Sequence, residues 1–463
     1  MGHVVVIGGG IGGLPTAFEL RRLLPSAHRI TLISDKPRFT FVPSLPWVAL
    51  GLTPPERIQA DLNEVLKGRG IAWVPGAVRE MKPLAREIKV GARKIEYDYA
   101  VIATGASLAL GAVPGLEPEK GCTQSVCNLE HALKAREAWE EFKQHPGNLV
   151  VGAVPGTSCV VPAYEFALLA DHVLRQRNLR HQVRITLVTP EPFAGHMGLG
   201  GIANSDVLMM NLMKRRHIEL IENAAVAEIH PQTVMLADGR RLPFKYSMLL
   251  PPFRGAQFLR EVPGLTDKTG FMPVLPTYQH PEYQSIYSIG LAVGLEPTEK
   301  TPVPMSVPKT AQMTEGMGMA VAHNIACRLG AVDAALVTPT LSSICLADFG
   351  GTGLFFIADP VLPDGLTGHR RRMVAKGGPW VSRMKTVFER FFMIKIRLGL
   401  TVPWFERWGL RAMGLSLVEP LASHRDSALS WHFEESRRCR IKPRRRVHPV
   451  VQQVQEGGHL RRL

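Results

Sequence analysis

The stretch VVVIGGGIGG at residues 4–13 decides the fold of this chain. Its first four residues, Val4–Ile7, are all β-branched, which favours a buried strand. Three glycines then keep the G-x-G-x-x-G spacing in front of an apolar helical stretch: Gly8, Gly10 and Gly13. A strand, a glycine turn and a helix in this order let the backbone approach a pyrophosphate at the helix N-terminus. The stretch therefore predicts a dinucleotide-binding Rossmann unit in an α/β fold.

A second strand signal completes this first nucleotide-binding unit. Arg29–Ser34 has the pattern of a strand, and it ends at Ser34 and Asp35, where a ribose contact is expected. Another strand-like run starts at Tyr99 and closes on Thr104-Gly105. In flavoproteins with two dinucleotide domains this segment passes the cofactor a second time. The first unit is thus expected to hold its dinucleotide at two places.

The residues from Asn148 onward repeat the strand–turn–helix layout without its glycines. Position 154 is valine, and the turn is lengthened and contains Cys159. A bulky side chain where the backbone must touch a pyrophosphate argues against tight nicotinamide binding. We therefore expect a second Rossmann-like unit that has lost its nucleotide site. A later strand signal, Ile286–Gly290, resembles the second flavin-contacting strand of such proteins.

The composition is that of a folded protein, with 45% hydrophobic and 21% charged residues among 463. The chain is too long for one compact core, and six cysteines are too few for a disulfide scaffold. No apolar run is long enough to cross a bilayer, and the strand-like run that starts at Val4 argues against a signal peptide. The net charge of +15 lies almost entirely in residues 369–463, where 21 Lys and Arg accompany 7 Asp and Glu.

The segment 380–415 interleaves aromatic and aliphatic residues with Arg and Lys at helical spacing. It predicts two short amphipathic helices, broken near Gly399 and Pro403, which suit the plane of a membrane interface. The alternative is a basic helix pair packed on the protein's own core. Seven Arg and Lys between residues 437 and 446 predict a disordered tail that adheres to anionic lipid. No nucleic-acid module accompanies this charge, so we expect no nucleic-acid partner.

Three of the six cysteines lie where chemistry is expected: Cys127, Cys159 and Cys345. Cys159 is in the turn where a nicotinamide would otherwise be held, and Cys345 follows the predicted flavin segments. Each alone could be a buried small hydrophobic residue, which is the role we expect for Cys122, Cys327 and Cys439. The Cys-x4-Cys pair at 122 and 127 is not followed by a second ligand pair, so no metal is expected.

These stretches together resemble the bacterial, membrane-bound sulfide:quinone oxidoreductases, which are FAD-dependent flavoproteins. The resemblance runs from residue 1 to about residue 420, and it implies two Rossmann-like domains followed by amphipathic helices for membrane and quinone. It rests on the following segments: GGGIGGLPTAFEL, FVPSLPWVALG, ATGASLAL, QSVCNLEHA, GTSCVVPAYEFA, GHMGLGG, TPVPMSVPKT, ICLADFGGTG and FFMIKIRLGLTVPWFE.

The resemblance implies site residues, position by position. Cys159 and Cys345 match the redox cysteine pair, Cys127 the third cysteine, and three further residues the functional histidines and the acidic group: His131, His196 and Glu165. The implied FAD contacts are Gly8, Gly10, Gly12, Gly13, Ser34, Asp35, Val42, Val78, Thr104, Gly105, Gly290 and Lys309. The implied quinone pocket consists of Phe41, Pro43, Phe391, Phe392 and Phe405. Asp35 and Trp404 depart from the family pattern.

The implied activity is the oxidation of hydrogen sulfide to polysulfide or sulfur, with electrons passed through FAD to ubiquinone or menaquinone. Sulfide would attack a Cys159–Cys345 bridge by thiol–disulfide exchange. We expect Cys345 to become the thiolate beside the flavin and Cys159 to hold the sulfur, with Cys127 assisting its transfer. Lys309 would stabilise negative charge on the reduced flavin, and Glu165 and the histidines could move protons.

Three alternatives stay open from the residues. A type II NADH:quinone oxidoreductase needs an intact second glycine motif and no redox cysteine pair. A sulfide dehydrogenase that serves a cytochrome subunit needs no aromatic amphipathic C-terminus. A membrane-bound flavoprotein scaffold without activity needs no set of placed cysteines.

The expected organisation has five parts: 1–147, the first part of the FAD-binding domain; 148–270, the second Rossmann-like domain; 271–368, the second part of the FAD-binding domain; 369–420, the quinone and membrane helices; and 421–463, the basic tail. We expect peripheral attachment to the anionic surface of a bacterial inner membrane. A homo-oligomer is compatible with this organisation.

Overall fold

Two parallel β-sheets organise the fold, which is seen in a computed structural model. The structure describes residues 1–297, 299–363 and 368–421. The predicted basic tail therefore lies outside the described residues, apart from Leu421, and so does Cys439.

The described residues form ten α-helices, of which α4, α5, α8 and α9 are the long ones: α1 (Gly13–Leu23), α2 (Leu45–Ala49), α3 (Leu62–Leu66), α4 (Leu129–Gln144), α5 (Val161–Gln176), α6 (Ser205–Arg216), α7 (Gln257–Arg260), α8 (Ala311–Arg328), α9 (Pro379–Leu398) and α10 (Trp404–Ala412).

The same residues form 24 strands, most of them three to six residues long: β1 (His3–Ile7), β2 (Arg29–Ser34), β3 (Arg38–Thr40), β4 (Gln59–Asp61), β5 (Ala72–Pro75), β6 (Val78–Lys82), β7 (Glu87–Val90), β8 (Arg93–Glu96), β9 (Tyr99–Ile102), β10 (Ala106–Leu108), β11 (Leu149–Ala153), β12 (Ile185–Val188), β13 (Glu219–Ile221), β14 (Val226–His230), β15 (Thr233–Leu236), β16 (Arg241–Pro243), β17 (Tyr246–Leu250), β18 (Phe253–Gly255), β19 (Ile286–Ser288), β20 (Val337–Pro339), β21 (Ser343–Asp348), β22 (Gly353–Asp359), β23 (Arg372–Gly377) and β24 (Val418–Pro420).

The first parallel sheet has β1 at its centre, in the order β19-β9-β1-β2-β5. The apolar run predicted to be a buried strand is one, since Val4, Val5 and Val6 have no exposed surface. Helix α1 starts directly after the glycine turn and packs against α8. Strand β19 comes from much later in the chain and pairs with β9 in parallel. The predicted later strand therefore joins the sheet that carries the glycine motif.

The second parallel sheet has the order β13-β12-β11-β17. Helix α5 follows β11, so the strand–turn–helix layout predicted from Asn148 onward is confirmed. At the end of β11 the backbone of Gly152 packs against β12, where an added Cβ would lie 2.1 Å from the Val188 carbonyl oxygen. One hydrophobic cluster includes Val6 from the first sheet and Val151 from the second. The α/β fold with two Rossmann-like units is thus present, and the two units share a core.

Smaller antiparallel sheets extend this frame, and one of them carries Cys345. Strands β21, β22 and β23 form a three-stranded sheet in which Cys345 lies opposite Phe356. The predicted domain boundary between residues 368 and 369 falls within this sheet, because β23 pairs with β22. Both α5 and α9 pack against β21.

The C-terminal helices follow the predicted break but not the predicted length. Helix α9 runs for 20 residues and ends at Gly399, whose φ of +65° favours glycine. Helix α10 follows Pro403 and has 9 residues. The first helix is therefore longer than the short helix that we predicted. No helix in the described part of the chain is long and apolar enough to cross a membrane.

Candidate functional site

Three cysteine thiols from distant parts of the chain come together. Cys159 lies in the loop between β11 and α5, Cys345 lies in β21, and Cys127 immediately precedes the N-cap residue of α4. Cys159 interacts electrostatically with Cys127, and Cys345 with Cys159. All five cysteines in the described residues are free thiols. The three cysteines singled out from the sequence thus form one cluster, centred on Cys159.

The loop that carries Cys159 is held by hydrogen bonds on both sides. The Thr157 hydroxyl donates to the Val154 carbonyl at 2.8 Å and to the Leu250 carbonyl at 3.0 Å. The Gly156 N–H donates to the Pro304 carbonyl at 2.6 Å, and the Ser306 hydroxyl donates to the Gly156 carbonyl at 3.1 Å. The turn is thereby fixed to both the second sheet and the loop before Lys309.

Burial suppresses ionisation of all three thiols in this arrangement. It raises the pKa of Cys127 and the pKa of Cys159 to about 11 each. It raises the pKa of Cys345 further above its ordinary value, and the neighbouring Cys159 adds to this shift. A thiolate here therefore needs a cation or hydrogen-bond donors beside it.

A buried ion pair lies next to the cluster and involves the predicted acidic residue. Glu165, on α5, accepts a hydrogen bond from the ammonium group of Lys385, on α9, and both side chains are about 5% exposed or less. The backbone N–H of Asp348 donates to the same carboxyl oxygen at 3.3 Å. Burial raises the pKa of Glu165, and Lys385 opposes that rise. Glu165 therefore lies in a buried ion pair, and its partner is a lysine of the amphipathic segment predicted at residues 380–415.

A second buried carboxyl group was missed from the sequence. Glu191 has no exposed surface and accepts three hydrogen bonds, from the Tyr164 hydroxyl at 2.5 Å, the Thr189 hydroxyl at 2.7 Å and the Met197 N–H at 2.7 Å. Burial raises the pKa of Glu191 to about 7. Its charge also contributes to the raised pKa of Cys159. Only its place directly after the β12 strand signal could have indicated a functional residue.

The two predicted histidines each pair with a half-exposed glutamate. His131 Nε2 lies 3.1 Å from Glu119, while its Nδ1 is buried without a partner among the described residues. His196 Nδ1 accepts a hydrogen bond from the Gly198 N–H at 3.2 Å, so its Nε2–H donates to Glu299 at 2.5 Å. Each histidine therefore connects a buried ring to a carboxylate that faces solvent.

The first glycine turn has the shape that a dinucleotide requires. A Cβ at Gly8 would lie 2.3 Å from the Ala103 carbonyl oxygen, and one at Gly13 would lie 1.9 Å from that of Gly8. A Cβ at Gly12 would lie 2.8 Å from Thr314. In contrast, no heavy atom of the described residues lies within 4 Å of a Cβ built at Gly10 or Gly105. The turn is closed on its protein side and open where a pyrophosphate would lie, so it fits the cofactor.

The remaining predicted cofactor contacts are more varied. The Ser34 hydroxyl donates to the Lys36 carbonyl at 2.8 Å, and Asp35 is exposed. Gly290 has a φ of +65°, the Thr104 hydroxyl donates to the Gly105 carbonyl, and Val78 is buried whereas Val42 is exposed. The ammonium group of Lys309 lies 5.2 Å from the Phe271 ring centre, and burial lowers the pKa of Lys309 to about 8.

The predicted quinone residues fall into two groups. Phe41 and Phe392 are buried with ring centres 5.0 Å apart, and Phe388, which we did not predict, lies 6.1 Å from each. Phe391 and Phe405 form a second, more exposed pair at 5.7 Å. The ammonium group of Lys395 lies near one ring of each group. It is 5.0 Å from the centre of the Phe392 ring and 5.7 Å from the centre of the Phe391 ring. Lys395 is itself buried and paired with Glu315 at 2.6 Å.

The loop of Phe41 and Pro43 is attached to α9 through a buried carboxylate. Glu389, on α9, accepts hydrogen bonds from the Ser44 hydroxyl and from the Arg57 side chain, each at 2.8 Å. These hydrogen bonds therefore hold the loop of Phe41 and Pro43 against α9.

An apolar face of α9 and α10 is exposed. Its large side chains, each more than two-fifths exposed, are Trp380, Met384, Val387, Ile394, Leu398, Trp404, Phe405 and Trp408. The α9 members recur at helical spacing on the face opposite Val381 and Phe392, which are buried. A contiguous exposed face of this kind marks an interaction surface, as expected for an interfacial helix pair.

Among the described residues, no group of three or more His, Cys, Asp or Glu side chains is arranged to hold a metal ion.

Comparison with known proteins gives a consistent relationship. Residues 2–318 match the model of the family described as pyridine nucleotide-disulphide oxidoreductase. The sulfide-quinone reductase of Aquifex aeolicus is 40% identical over 411 residues, which cover 87% of this chain and 93% of that protein. The mitochondrial sulfide:quinone oxidoreductase of Dictyostelium discoideum is 25% identical over 366 residues, 75% of this chain and 77% of that protein. The X-ray structure of the Aquifex aeolicus sulfide:quinone oxidoreductase superposes with a TM-score of 0.87 at 38% identity, covering 93% of this chain and all of that one.

Proposed function

The chain belongs to the sulfide-quinone reductases of the pyridine nucleotide-disulphide oxidoreductase family, and from that premise we propose how its residues act. It oxidises sulfide and passes the electrons through a flavin, for which we propose FAD, to a membrane quinone. The observation that carries this proposal is the cluster of Cys127, Cys159 and Cys345, centred on the turn of the second Rossmann unit.

The first glycine turn is the proposed binding site of the FAD pyrophosphate. Gly10 and Gly105 leave the room that the backbone approach requires, while Gly8 and Gly13 close the turn behind it. FAD supplies a two-electron acceptor that can pass electrons onward. Lys309, with its pKa lowered to about 8, is proposed to place positive charge near the reduced ring.

Sulfide enters through the cysteine pair. In the oxidised protein Cys159 and Cys345 are proposed to form a disulfide, which hydrosulfide attacks by thiol–disulfide exchange. Cys159 then holds the added sulfur and Cys345 becomes the thiolate. Cys127, which also interacts with Cys159, is proposed to receive or release sulfur as the chain grows.

The residues around the cluster can carry protons between it and solvent. His196 and His131 each pair a buried ring with a half-exposed glutamate, and we propose that they relay these protons. Glu165 acts on the pKa of both Cys159 and Cys345, and burial raises its own pKa, so it holds a proton to a higher pH than an exposed carboxylate does.

The C-terminal helices are proposed to deliver the quinone from the membrane. The exposed face of α9 and α10 would enter the lipid interface, with Phe391 and Phe405 at the mouth and Phe41 and Phe392 inside. We propose peripheral attachment to the anionic inner membrane of a bacterium, which is supported by this face and by the basic charge of residues 369–463.

The test is the visible spectrum of the purified protein under anaerobic conditions. Sulfide bleaches the bound flavin, and a short-chain quinone restores its colour. NADH does not bleach the flavin, because Val154 replaces a glycine of the second nucleotide turn. Release of the cofactor and its mass identify it as FAD. A flavin that NADH bleaches and sulfide does not would overturn the proposal in favour of an NADH:quinone oxidoreductase.

A further inference from the structure

One buried ammonium group is shared by two carboxyl groups that come from two other helices. Lys395, on α9, has a relative exposure of 1%. Its Nζ lies 2.6 Å from a carboxyl oxygen of Glu315, on α8, and 3.2 and 3.3 Å from the two oxygens of Glu406, on α10. Three helices from separate parts of the sequence thus each contribute one ionisable side chain to a single group, which we call the Lys395 cluster.

The Lys395 cluster holds one more carboxyl group than it has ammonium groups. Two carboxylates around one buried cation leave an uncompensated negative charge, which is costly, so one of the carboxyl groups retains a proton. Glu406 is the one with the larger contact to solvent, since its side chain is 19% exposed and that of Glu315 is 8% exposed. Burial raises the pKa of Glu406 to about 7, with a contribution from Glu315 and against the effect of Lys395. Glu406 is therefore able to hold and exchange a proton near neutral pH.

The charged groups that act on Glu406 come from the three helices of the cluster. They are Lys395 from α9, Glu315 from α8, and Arg407, the next residue of α10. Arg407 donates from its Nε to a backbone carbonyl at 2.9 Å, and Arg372, on β23, donates to a backbone carbonyl just after the last residue of α10. Lys395 is thus the cation that is hydrogen-bonded to the Glu406 carboxyl group.

The Lys395 cluster lies beside the predicted quinone residues. Its ammonium group is within 6 Å of the ring centres of both Phe391 and Phe392. Glu406 directly follows Phe405, whose ring packs against that of Phe391. Buried ion pairs often add no net stability over apolar side chains, so a chemical role explains this position better than stability does. The cluster offers polar hydrogen atoms where the surrounding side chains are aromatic.

We propose, on the basis of the proposed function, that Glu406 is the proton donor to the quinone and that Lys395 stabilises the carboxylate left behind. Conversion of a quinone to a quinol takes up two electrons and two protons. Both electrons and one proton come from the reduced flavin, and Glu406 supplies the other proton. The O–H bond of Glu406 breaks, an O–H bond forms on a quinone oxygen, and the negative charge stays on the carboxylate beside the Lys395 ammonium group.

The position of Glu406 on α10 allows the lost proton to be replaced from water. Glu406 lies four residues before Leu410, which is buried, whereas Trp404 and Trp408 on the other side of the helix are exposed. The exposed part of the Glu406 side chain can take up a proton from water after each turnover. The same side chain thus reaches both the interior cluster and solvent.

The experiment follows reoxidation of the flavin by a quinone, without sulfide. The full-length flavoprotein is photoreduced under anaerobic conditions and mixed with a soluble short-chain quinone in a stopped-flow instrument, between about pH 5.5 and about pH 9. In the wild type, the rate at saturating quinone falls as pH rises through about 7, because protonated Glu406 is the reactive form. E406Q cannot deliver a proton, so its rate at low pH is lower by about tenfold or more and does not fall further with pH.

Further measurements separate proton transfer from packing. E406Q leaves Lys395 paired with Glu315, so the cluster carries no unpaired charge and the protein stays folded. E406D retains a carboxyl group and recovers part of the rate together with its fall at high pH. E419Q, which removes an exposed glutamate outside the cluster, reacts as the wild type does.

Infrared spectroscopy detects the proposed proton without any quinone. The difference spectrum of wild type minus E406Q contains the band of a protonated carboxyl group, and this band disappears as pH rises through about 7. Absence of the band at every pH would overturn the proposal. An E406Q protein with the wild-type rate and pH profile would also overturn it, as would a variant in which only the KM for quinone changes.

These outcomes are distinct from failure of the proposed function. A protein whose photoreduced flavin is reoxidised through Glu406 but is not reduced by sulfide would keep this proton donor and lose the sulfur chemistry. A wild-type protein whose reduced flavin no quinone reoxidises would overturn both.

Discussion

Cys159 is the one thiol that interacts with both of the others, which sets the expected result of cysteine substitutions. Serine at Cys159 or Cys345 removes a partner of the proposed bridge, so sulfide-dependent quinone reduction falls by roughly 100-fold or more. Serine at Cys127 leaves partial activity, because this thiol only assists sulfur transfer. Stopped-flow measurement of flavin reduction, normalised to flavin content, checks all three variants.

The matched control for these substitutions is C122S, since Cys122 is a half-buried cysteine outside the cluster. It retains wild-type rates. Near-normal turnover in C159S or C345S, with full flavin content, would contradict the assigned pair.

Glu191 gives a prediction about stability. Burial raises the pKa of Glu191 from 4.5 to about 7, so the folded protein holds this proton more tightly than the unfolded chain does. The stabilisation is fully present below the unfolded pKa and is lost as pH rises through the folded pKa, with a loss of about 3 kcal/mol at most. Glutamine keeps an acceptor for Met197 and does not titrate, so E191Q lacks this loss.

Thermal unfolding of wild type and E191Q at about pH 5 and about pH 8 tests the prediction. The E191Q protein should gain stability relative to wild type as pH rises. E219Q, in which an exposed glutamate is replaced, is the control and should show no such trend. The same difference between E191Q and wild type at both pH values would mean that Glu191 titrates outside this range.

At the scale of residues, the sequence indicates the groups whose chemistry is rare and hides those whose role depends on burial. Cysteines are few, so Cys159 and Cys345 are visible as candidates in their segments. Lys385 is one of many basic residues, and nothing in its type distinguishes an internal ammonium group from a solvent-facing one. Its spacing places Lys385 on one face of the helix with Val381 and Phe392, but only the structure shows that this face is the buried one.

At the scale of elements, the exposed face of α9 and α10 is expected to hold the protein on membranes. Serine at Trp380, Trp404 and Trp408 removes three exposed aromatic rings without touching the buried side chains of α9. Each ring that enters the interface contributes on the order of 1–2 kcal/mol for about 60 Å² of buried area, so liposome binding falls roughly 5- to 30-fold per tryptophan. Flavin bleaching by dissolved sulfide stays at the wild-type rate.

Co-sedimentation with liposomes measures this effect, and L84S provides the control, since Leu84 is an exposed apolar side chain in the β6–β7 turn. The control should bind as the wild type does. Unchanged binding of the triple variant at high salt would show that another surface is the anchor.

Removal of the whole segment from Trp380 would not separate the two half-reactions. Such a truncation removes Lys385 along with the exposed face and leaves Glu165 as an unpaired buried carboxyl group. Substitutions on the exposed face are therefore the correct way to isolate membrane binding. The periodicity of the segment predicted both helices, but it could not show that their cationic positions divide between solvent and the protein interior.

At the scale of the whole molecule, the α/β frame was predictable from the sequence, whereas the assembly of the cysteine cluster was not. The glycine motif, its strand and its helix specify the first sheet locally, and all of them are present. The assembly of the cysteine cluster depends instead on long-range packing of β21 against α5, which no local pattern encodes.

The basic charge of the C-terminal residues leads to the last prediction. Residues 424–463 hold ten Arg and Lys and four Asp and Glu, all outside the described structure. Near anionic lipid each cation contributes about 1 kcal/mol, and salt screens this attraction over a Debye length of about 10 Å at 0.1 M. Deleting residues 424–463 should therefore weaken binding to anionic vesicles and make the remaining binding less dependent on salt, because the exposed face of α9 and α10 acts through apolar area. Activity with a soluble short-chain quinone should stay at the wild-type level. The deletion leaves intact the cysteine cluster, the Phe41–Phe392 pair and the Phe391–Phe405 pair. Sedimentation with anionic and neutral vesicles across a salt series measures the difference, and equal salt dependence of full-length and shortened protein would show that the tail does not contact the membrane.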